Sequence, residues 1–217
     1  LQQLDDELSS TNLYLLDILV NNPDVRTAAS QTDTITVNNA LRGLQTTLAS
    51  QREYLIKKYN YLYYNPNRNL SAWVLDDTTS YMDNSHMKTR LLTEIQEGTL
   101  SANSQVWNCL LLNGTAYLIQ AYQNENGYML CWIPARTAFS FLSDTAVNGL
   151  YSLVDASGAP LMNMDDLKDC GVVFDKDGNP TSQQDYTCTL YDIRRADFQL
   201  LLVTQPLIDY NLSLIHI

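Results

Sequence analysis

Aromatic side chains within residues 106–133 are the groups of this sequence best suited to bind a ligand. Trp107 and Tyr117 fall in the first two of three predicted strands, and Tyr128 and Trp132 fall on one face of the third. Small-molecule pockets are mostly apolar and carry a few polar groups that orient the ligand. These four aromatic residues are therefore candidate ligand-binding residues. Packing in a covered core is the alternative explanation.

Polar groups that could orient a ligand lie on both sides of these strands. Arg136 follows them, and the acids Asp76, Asp77 and Asp83 precede them, near a further aromatic residue, Trp73. A pocket needs only a small number of such groups. We take Arg136 and Asp76 as candidate ligand-binding residues, while the sequence itself does not rank the acids.

Residues that could carry catalysis or hold a metal are scarce. The sequence lacks the motifs of serine hydrolases, P-loop proteins, dinucleotide-binding proteins and zinc proteases, and a nucleophile–base pair would depend on His86 at a predicted helix start. Asp175, Asp177 and Asn179 have the first spacings of a calcium loop, but the Gly and Glu that such a loop needs are missing. A solvated turn is the better interpretation. We expect no catalytic residue, no enzymatic activity, no cofactor and no metal site.

The overall charge of the chain is strongly acidic. Its 217 residues are 45% hydrophobic, which suits one large or two small globular domains, and the formal net charge is −11. There is no run of Lys or Arg, so binding to nucleic acid or to anionic lipid is disfavoured. No stretch has the roughly 20 consecutive apolar residues of a transmembrane helix.

Four cysteines show no C-x-x-C spacing. Cys109 and Cys131 fall in the outer strands of the predicted meander, and the middle strand separates them too widely for a disulfide. Cys170 and Cys188 flank a loop and could pair in an oxidising compartment. Buried free thiols are the better interpretation for all four, and the sequence leaves open whether Cys170 and Cys188 pair.

Two long helices are predicted before the strands, over residues 1–20 and about 35–62, with a short helix over 24–30 between them. The apolar positions of the first helix follow the alternating three- and four-residue spacing of a coiled coil. This seam fits a homodimer interface or, alternatively, the chain's own core. Its residues are Leu1, Leu4, Leu8, Thr11, Leu15 and Ile18.

Three strands and two turns are predicted between residues 106 and 133. Asn113-Gly114 is a strong signal for a two-residue hairpin, because a type I′ turn needs positive φ at both central residues. A strand and a helix precede this meander, and a connecting helix and further short strands follow it. These elements are predicted over 70–75, 86–97, 135–146, 149–154, 159–162, 172–174, 186–193 and 198–205.

The elements together predict an α+β fold in which long N-terminal helices precede two antiparallel sheet units. We expect a helical stalk over 1–64, a first sheet unit over 65–146 and a second over 147–210. Residues 211–217 are predicted to be a non-native tail, because LSLIHI is the in-frame translation of a common adapter for DNA libraries. An ordinary apolar terminus, or the start of a membrane span, is the alternative.

This order of elements resembles the double Cache sensory domain of bacterial transmembrane receptors, over about residues 1–210. The likeness is carried by the N-terminal helix, by the meander that ends at Trp132-Ile133-Pro134, and by the segment L-V-D-A-S-G-A-P-L (Leu153–Leu161), which looks like the first hairpin of a PAS-like unit. The closest similarity is to the extracytoplasmic part of Firmicutes-type sensor histidine kinases.

The resemblance implies an extracytoplasmic ligand-sensing domain at the bacterial cell membrane. In such receptors the membrane-distal unit binds a small molecule, and the membrane-proximal unit passes the signal to a transmembrane helix and a cytoplasmic output module. It also implies transmembrane helices on both sides of the domain. Amino-acid-sensing members carry an R-x-W-Y motif that this sequence lacks, so the ligand stays open. A protein-interaction ectodomain and a secreted hydrolase are the alternatives.

Overall fold

The computed structural model describes residues 1–55, 57–75, 81–144 and 149–205, of which 81–83 and 143–144 are described by their backbone alone. The described residues form two compact units. Unit 1 consists of residues 1–139 and 194–197, and unit 2 of residues 140–193 and 198–205. Both combine helices with antiparallel strands, which confirms the predicted α+β class. The predicted tail, 211–217, lies outside the described residues.

Unit 1 begins with three helices, and polar side chains cap the second and third of them. The side chain of Asn22 accepts hydrogen bonds from the backbone N–H groups of Asp24 and Val25, and Asp33 caps the third helix in the same way. A fourth helix comes later in the unit. The helices are α1 (Gln2–Asn21), α2 (Pro23–Ser30), α3 (Thr34–Tyr54) and α4 (Tyr81–Glu97).

A five-stranded antiparallel sheet forms the centre of unit 1. The predicted meander is present, and its first turn has positive φ at Asn113 (50°) and Gly114 (78°), as a type I′ hairpin requires. The strand order is β2-β1-β5-β4-β3. The strands are β1 (Asn60–Asn65), β2 (Leu70–Val74), β3 (Asn108–Leu112), β4 (Thr115–Asn124) and β5 (Gly127–Pro134).

Strand β1 corrects the prediction for the second long helix. The leucine spacing predicts a helix as far as about residue 62, but α3 ends at Tyr54 and β1 begins at Asn60. The segment around β1 is rich in tyrosine, which favours strands. Tyr61 and Tyr63 are fully buried there, so packing on the sheet outweighs a weak helical pattern. Unit 1 therefore contains both the helices and the first sheet, while the predicted domain boundaries at 64 and 146 stay predictions.

Helix α1 packs its apolar seam against its own sheet. Leu4, Leu8, Leu15 and Ile18 are buried, each no more than 4% exposed. The helix contacts β4 and β5, which lie in the middle of the sheet. Core packing therefore explains the coiled-coil spacing. A homodimer through α1 would have to use other residues of the helix.

Hydrogen bonds also join α1 to this face of the sheet. The Nε1–H of Trp107 donates to the Leu8 carbonyl oxygen at 3.2 Å. The amide of Gln120 donates to the side-chain oxygen of Asn12 at 2.9 Å, and the Tyr59 hydroxyl donates to a Glu7 carboxylate oxygen at 2.9 Å. Because these groups are buried, each bond satisfies a polar atom that would otherwise destabilise the fold.

Tyr61 differs from Tyr59 in this respect, and we expect Tyr61→Phe to raise stability. Both side chains are fully buried, but the Tyr61 hydroxyl makes no hydrogen bond to any part of the chain that the structure describes. Removing an unsatisfied hydroxyl should add about 1 kcal/mol to the free energy of unfolding. Tyr59→Phe is the matched control and should cost about 1–2 kcal/mol, because it removes the bond to Glu7. Urea denaturation at neutral pH measures both, and a loss of stability in Tyr61→Phe would contradict the prediction.

The same tyrosines should make unit 1 sensitive to alkali. Burial raises the pKa of Tyr59 and of Tyr61 well above their ordinary values, and it raises the pKa of Tyr14 to about 12. The unfolded chain then loses its tyrosine protons first, so stability is complete below about pH 10 and decreases as the pH rises above it. We expect Tyr59 and Tyr61 together to contribute about 1–2 kcal/mol per pH unit to this decrease around pH 10, where the tyrosines of the unfolded chain titrate. Denaturant midpoints between pH 9 and 11 measure this decrease. Tyr61→Phe should reduce the slope of the free energy of unfolding against pH, and an unchanged slope would show that Tyr61 does not contribute to it.

Unit 2 is smaller and contains two separate sheets. The predicted final hairpin is present, whereas the strand predicted over 159–162 is reduced to a single bridge between Pro160 and Val154. The predicted connecting helix is split into two short helices, the first of which belongs to unit 1. The remaining elements are α5 (Ala135–Ala138), α6 (Ser140–Asp144), β6 (Gly149–Asp155), α7 (Met164–Asp169), β7 (Val172–Phe174), β8 (Pro180–Ser182), β9 (Thr187–Asp192) and β10 (Phe198–Thr204).

Candidate ligand-binding site

The structure divides the four aromatic candidates between the two faces of the sheet. Trp132 pairs with Ile119 across β5 and β4, and both belong to the apolar cluster that α4 covers. Tyr117 and Tyr128 pack against the same cluster. Trp107 instead lies on the α1 side, fully buried, with its ring 5.8 Å from that of Tyr59. Trp107 is thus a core residue that the fold does not bring together with the other three.

The three candidates on the α4 face do not meet at one point either. Tyr128 is near one end of β5, while Tyr117 is in register with Pro134 at the other end. Six residues of extended strand separate these positions, a distance of about 20 Å. Trp132 lies between them and is 2% exposed. A single small ligand therefore cannot contact both tyrosines.

Three partly exposed aromatic side chains lie on this face toward the Tyr128 end of β5. Tyr64 stands directly opposite Tyr128 in the sheet, and Trp73 lies on the same face of the neighbouring strand β2. We call Tyr64, Trp73 and Tyr128 the aromatic patch. All three pack against the buried cluster beneath α4 while keeping part of their surface open. Their rings thus offer an apolar surface that a ligand could cover.

Polar groups accompany the aromatic patch. Ser71 is paired with Tyr64, and its hydroxyl accepts a hydrogen bond of 3.1 Å from the Trp73 indole N–H. The ammonium group of Lys88, on α4, stands over the Tyr64 ring at 4.6 Å from its centroid, within the range of a cation–π interaction. An apolar surface with a few hydroxyl and charged groups has the composition of a small-molecule site.

The polar candidates are not part of this patch in the described structure. Arg136 is an exposed residue of α5, two positions beyond Pro134 and therefore at the Tyr117 end of the sheet. Asp76 and Asp77 lie outside the described residues, as does the side chain of Asp83. Sequence reasoning missed Tyr64 and Lys88, because both depend on β1 pairing with β5 and on α4 covering that pair.

The acidic loop at 175–179 is a turn that the Asp175 carboxylate stabilises. Asp175 Oδ1 accepts hydrogen bonds from the backbone N–H groups of Asn179 at 2.8 Å and Asp177 at 2.9 Å. Together with the Asn179 side chain, these bonds hold the pKa of Asp175 below its ordinary value. This geometry matches the predicted solvated turn. Among the described residues there is no group of three or more side chains that could hold a metal ion.

No protein-family model and no curated protein matches the sequence. Solved structures of similar architecture are ligand-binding domains of chemoreceptors and extracellular domains of histidine kinases. One is the domain of the Pseudomonas aeruginosa PAO1 amino-acid chemoreceptor PctB with L-Arg, with a TM-score of 0.46, 12% identity, and coverage of 93% of this chain and 88% of that one. Another is the ligand-binding domain of the Pseudomonas fluorescens chemoreceptor CtaA with L-serine. Its TM-score is 0.44 and its sequence identity is 16%, over 94% of this chain and 98% of the other.

The extracellular domain of mmHK1S-Z3, which is described as a histidine kinase, has a TM-score of 0.42 and 14% identity over 94% of this chain and 93% of its own. All these scores are below 0.5, and the likeness is one of fold alone. In the part of the chain that the structure describes, every helix is too short or too polar to cross a membrane.

Proposed function

We propose that this chain is a non-enzymatic, extracytoplasmic ligand-sensing domain of a bacterial membrane receptor, and that the ligand binds at the aromatic patch. The observation that carries the proposal is the difference between the two faces of the sheet. The α1 face is closed by buried side chains and hydrogen bonds. The α4 face is closed at its centre but leaves Tyr64, Trp73 and Tyr128 partly exposed.

A sensor needs a binding surface of this kind on an otherwise rigid scaffold. Ligand contacts must favour one conformation over another, and partly exposed side chains are available to make such contacts. Since α4 and β2 both border the aromatic patch, a ligand there would contact two elements at once. The Cache-like order of elements adds the expected context of a sensor kinase or a related regulator, with relay through flanking transmembrane helices.

A second copy of the chain is the partner that we propose for α1. Its seam is buried from Leu4 to Ile18. Leu13, Leu16 and Val20 are instead 65%, 41% and 46% exposed and lie one to two turns apart on the helix. Positions separated by three and four residues share one helix face. A homodimer would use this exposed face. Sedimentation of wild type and Leu13→Asp over a range of concentrations tests it, and a monomer at all concentrations would exclude it.

The ligand is to be identified by thermal shift followed by isothermal titration. A first panel includes L-serine, L-arginine, L-leucine and GABA, since the similar chemoreceptor domains were solved with such compounds. It also includes amines, carboxylates and sugars, because the R-x-W-Y motif is missing. A ligand that binds the folded chain must raise its melting temperature. If no compound does so, the alternative of a protein-interaction ectodomain is favoured.

The location of the site is tested by two matched variants. Trp73→Ala should weaken the binding of the identified ligand about 10- to 100-fold, because it removes one wall of the aromatic patch. Tyr117→Ala removes a half-buried ring from the opposite end of the same face and should leave the affinity unchanged. Equal losses in the two variants, or a loss only in Tyr117→Ala, would contradict the proposed site.

A further inference from the structure

One cysteine of unit 2 projects from the edge of its three-stranded sheet onto a small apolar core. Cys188, in β9, stands opposite Val203 in β10, and Leu190 stands opposite Leu201. Alternate residues of a strand share a face, so Cys188 and Leu190 lie on one side of the sheet. Both pack against the cluster that contains Leu201 and Val203. The Cys188 thiol is half-buried at the border of this cluster.

A second cysteine reaches the same cluster from the helix that covers it. Cys170 follows α7 directly, and α7 buries Leu167 in the cluster. The backbone at Cys170 is fixed, because the Ser182 hydroxyl donates to its carbonyl oxygen at 2.7 Å. The backbone N–H of Gln183 donates to the Gly171 carbonyl oxygen at 2.8 Å. The chain that leads into β9 is therefore held beside Cys170.

The strands between these cysteines lack a large sheet to support them. In the described structure β7 and β8 pair with each other as a two-stranded sheet, with three residues each. Such a pair is only marginally stable by itself in water. A covalent link from Cys170, two positions before this hairpin, to β9 would anchor it, because it would restrict the unfolded chain over the 17 residues between the cysteines.

We propose that Cys170 and Cys188 form an intramolecular disulfide that fastens the β7–β8 hairpin to the core of unit 2. The proposal rests on the proposed function only for the oxidising compartment in which it would form. In the described structure both residues are free thiols. The oxidant is a disulfide compound such as a thiol–disulfide oxidoreductase or oxidised glutathione.

The reaction is a thiol–disulfide exchange in two steps. The thiolate of one cysteine attacks the oxidant's S–S bond, forms a mixed disulfide and releases one thiolate. The second cysteine, after losing its proton, attacks the protein sulfur of the mixed disulfide and releases the second thiolate. Two protein thiols are oxidised and one disulfide is reduced to two thiols. Burial and the adjacent Cys170 raise the pKa of Cys188, so the reaction should be faster as the pH increases.

The other two cysteines serve as internal controls. Cys109 and Cys131 lie in β3 and β5, and β4 runs between these strands. Two strand spacings, about 9.5 Å, separate them, which is too far for a disulfide. Burial also raises the pKa of the Cys131 thiol well above its ordinary value, which slows its oxidation.

The test treats the reduced chain with oxidised glutathione, quenches it with acid, and counts thiols after denaturation. We expect two of the four thiols to disappear and a non-reducing peptide map to show Cys170 joined to Cys188. The melting temperature of the oxidised chain should exceed that of the reduced chain by about 5–10 °C. Four remaining thiols, a peptide that joins Cys109 or Cys131, or a link between two chains would overturn the proposal.

Three variants separate the disulfide from general effects of substitution. Cys170→Ser and Cys188→Ser should each abolish the difference in melting temperature between oxidised and reduced chain. Cys109→Ala should preserve that difference, whatever its effect on absolute stability. None of these measurements needs a ligand. A ligand panel without a hit would therefore not contradict the proposed disulfide, and a missing disulfide would not contradict ligand binding at the aromatic patch.

Discussion

Replacing Trp107 with alanine should lower the free energy of unfolding by about 3–5 kcal/mol, the usual cost of truncating a fully buried tryptophan. Its side chain is 0% exposed and packs beside Tyr59. Its indole N–H also donates to the Leu8 carbonyl oxygen, so the substitution removes a direct link between the sheet and α1. Urea denaturation at neutral pH, followed by circular dichroism, measures the loss.

Trp107→Phe is the appropriate control, because it keeps an aromatic ring but cannot donate the hydrogen bond. We expect it to cost about 1–2 kcal/mol. Neither variant should change the affinity of the folded chain for its ligand, since Trp107 lies on the opposite face from the aromatic patch. An alanine variant of normal stability that fails to bind ligand would instead place Trp107 in the site.

The position of Trp107 could have been deduced from the sequence by one further step. Alternation predicts which residues share a face within one strand, whereas the turn determines which residues face each other across strands. A two-residue turn at Asn113-Gly114 pairs Leu112 with Thr115 and therefore Asn108 with Ile119. Trp107 then falls on the face opposite to Ile119. The type of turn at Asn113-Gly114 thus determines which residues of β3 and β4 are paired.

The aromatic patch could not have been deduced in the same way. It requires Tyr64 and Tyr128 to be neighbours, although they are far apart in the sequence and no tight turn joins their strands. Strand β1 was also missed, because the leucine spacing of the preceding helix continues into it. Long-range pairing of this kind depends on the whole core, and a local pattern does not encode it.

Helix α1 shows a similar limit. Its leucine spacing predicts a buried seam, but spacing alone does not say whether the covering surface belongs to the same chain or to a second one. The partners of Asn12, which is next to the seam residue Thr11, show that the covering surface belongs to the same chain. Asn12 is buried and its side chain bonds both to Gln120 and to the Gln105 carbonyl oxygen, which are specific partners within unit 1.

Trp132→Ala should also cost about 3–5 kcal/mol, which distinguishes the two interpretations that the sequence leaves open for this residue. As a pocket wall, Trp132 could be removed with the fold intact and only ligand binding lost. The structure instead places it in the buried cluster under α4, 2% exposed, and edge-on to Trp73 at 6.5 Å between ring centroids. Its truncation would leave a cavity beneath the aromatic patch.

Trp73→Ala provides the contrast, because Trp73 is only half-buried on the edge strand β2. This substitution should lower the free energy of unfolding by about 1–2 kcal/mol. The double variant then measures their coupling, for which an edge-to-face pair predicts about 0.5–1.5 kcal/mol. A Trp132→Ala protein with normal stability, or a coupling of zero, would show that the two rings do not pack as described. If both values hold, Trp132 is the buried support that fixes the Trp73 ring at the surface, and ligand affinity should decrease in both variants for two different reasons.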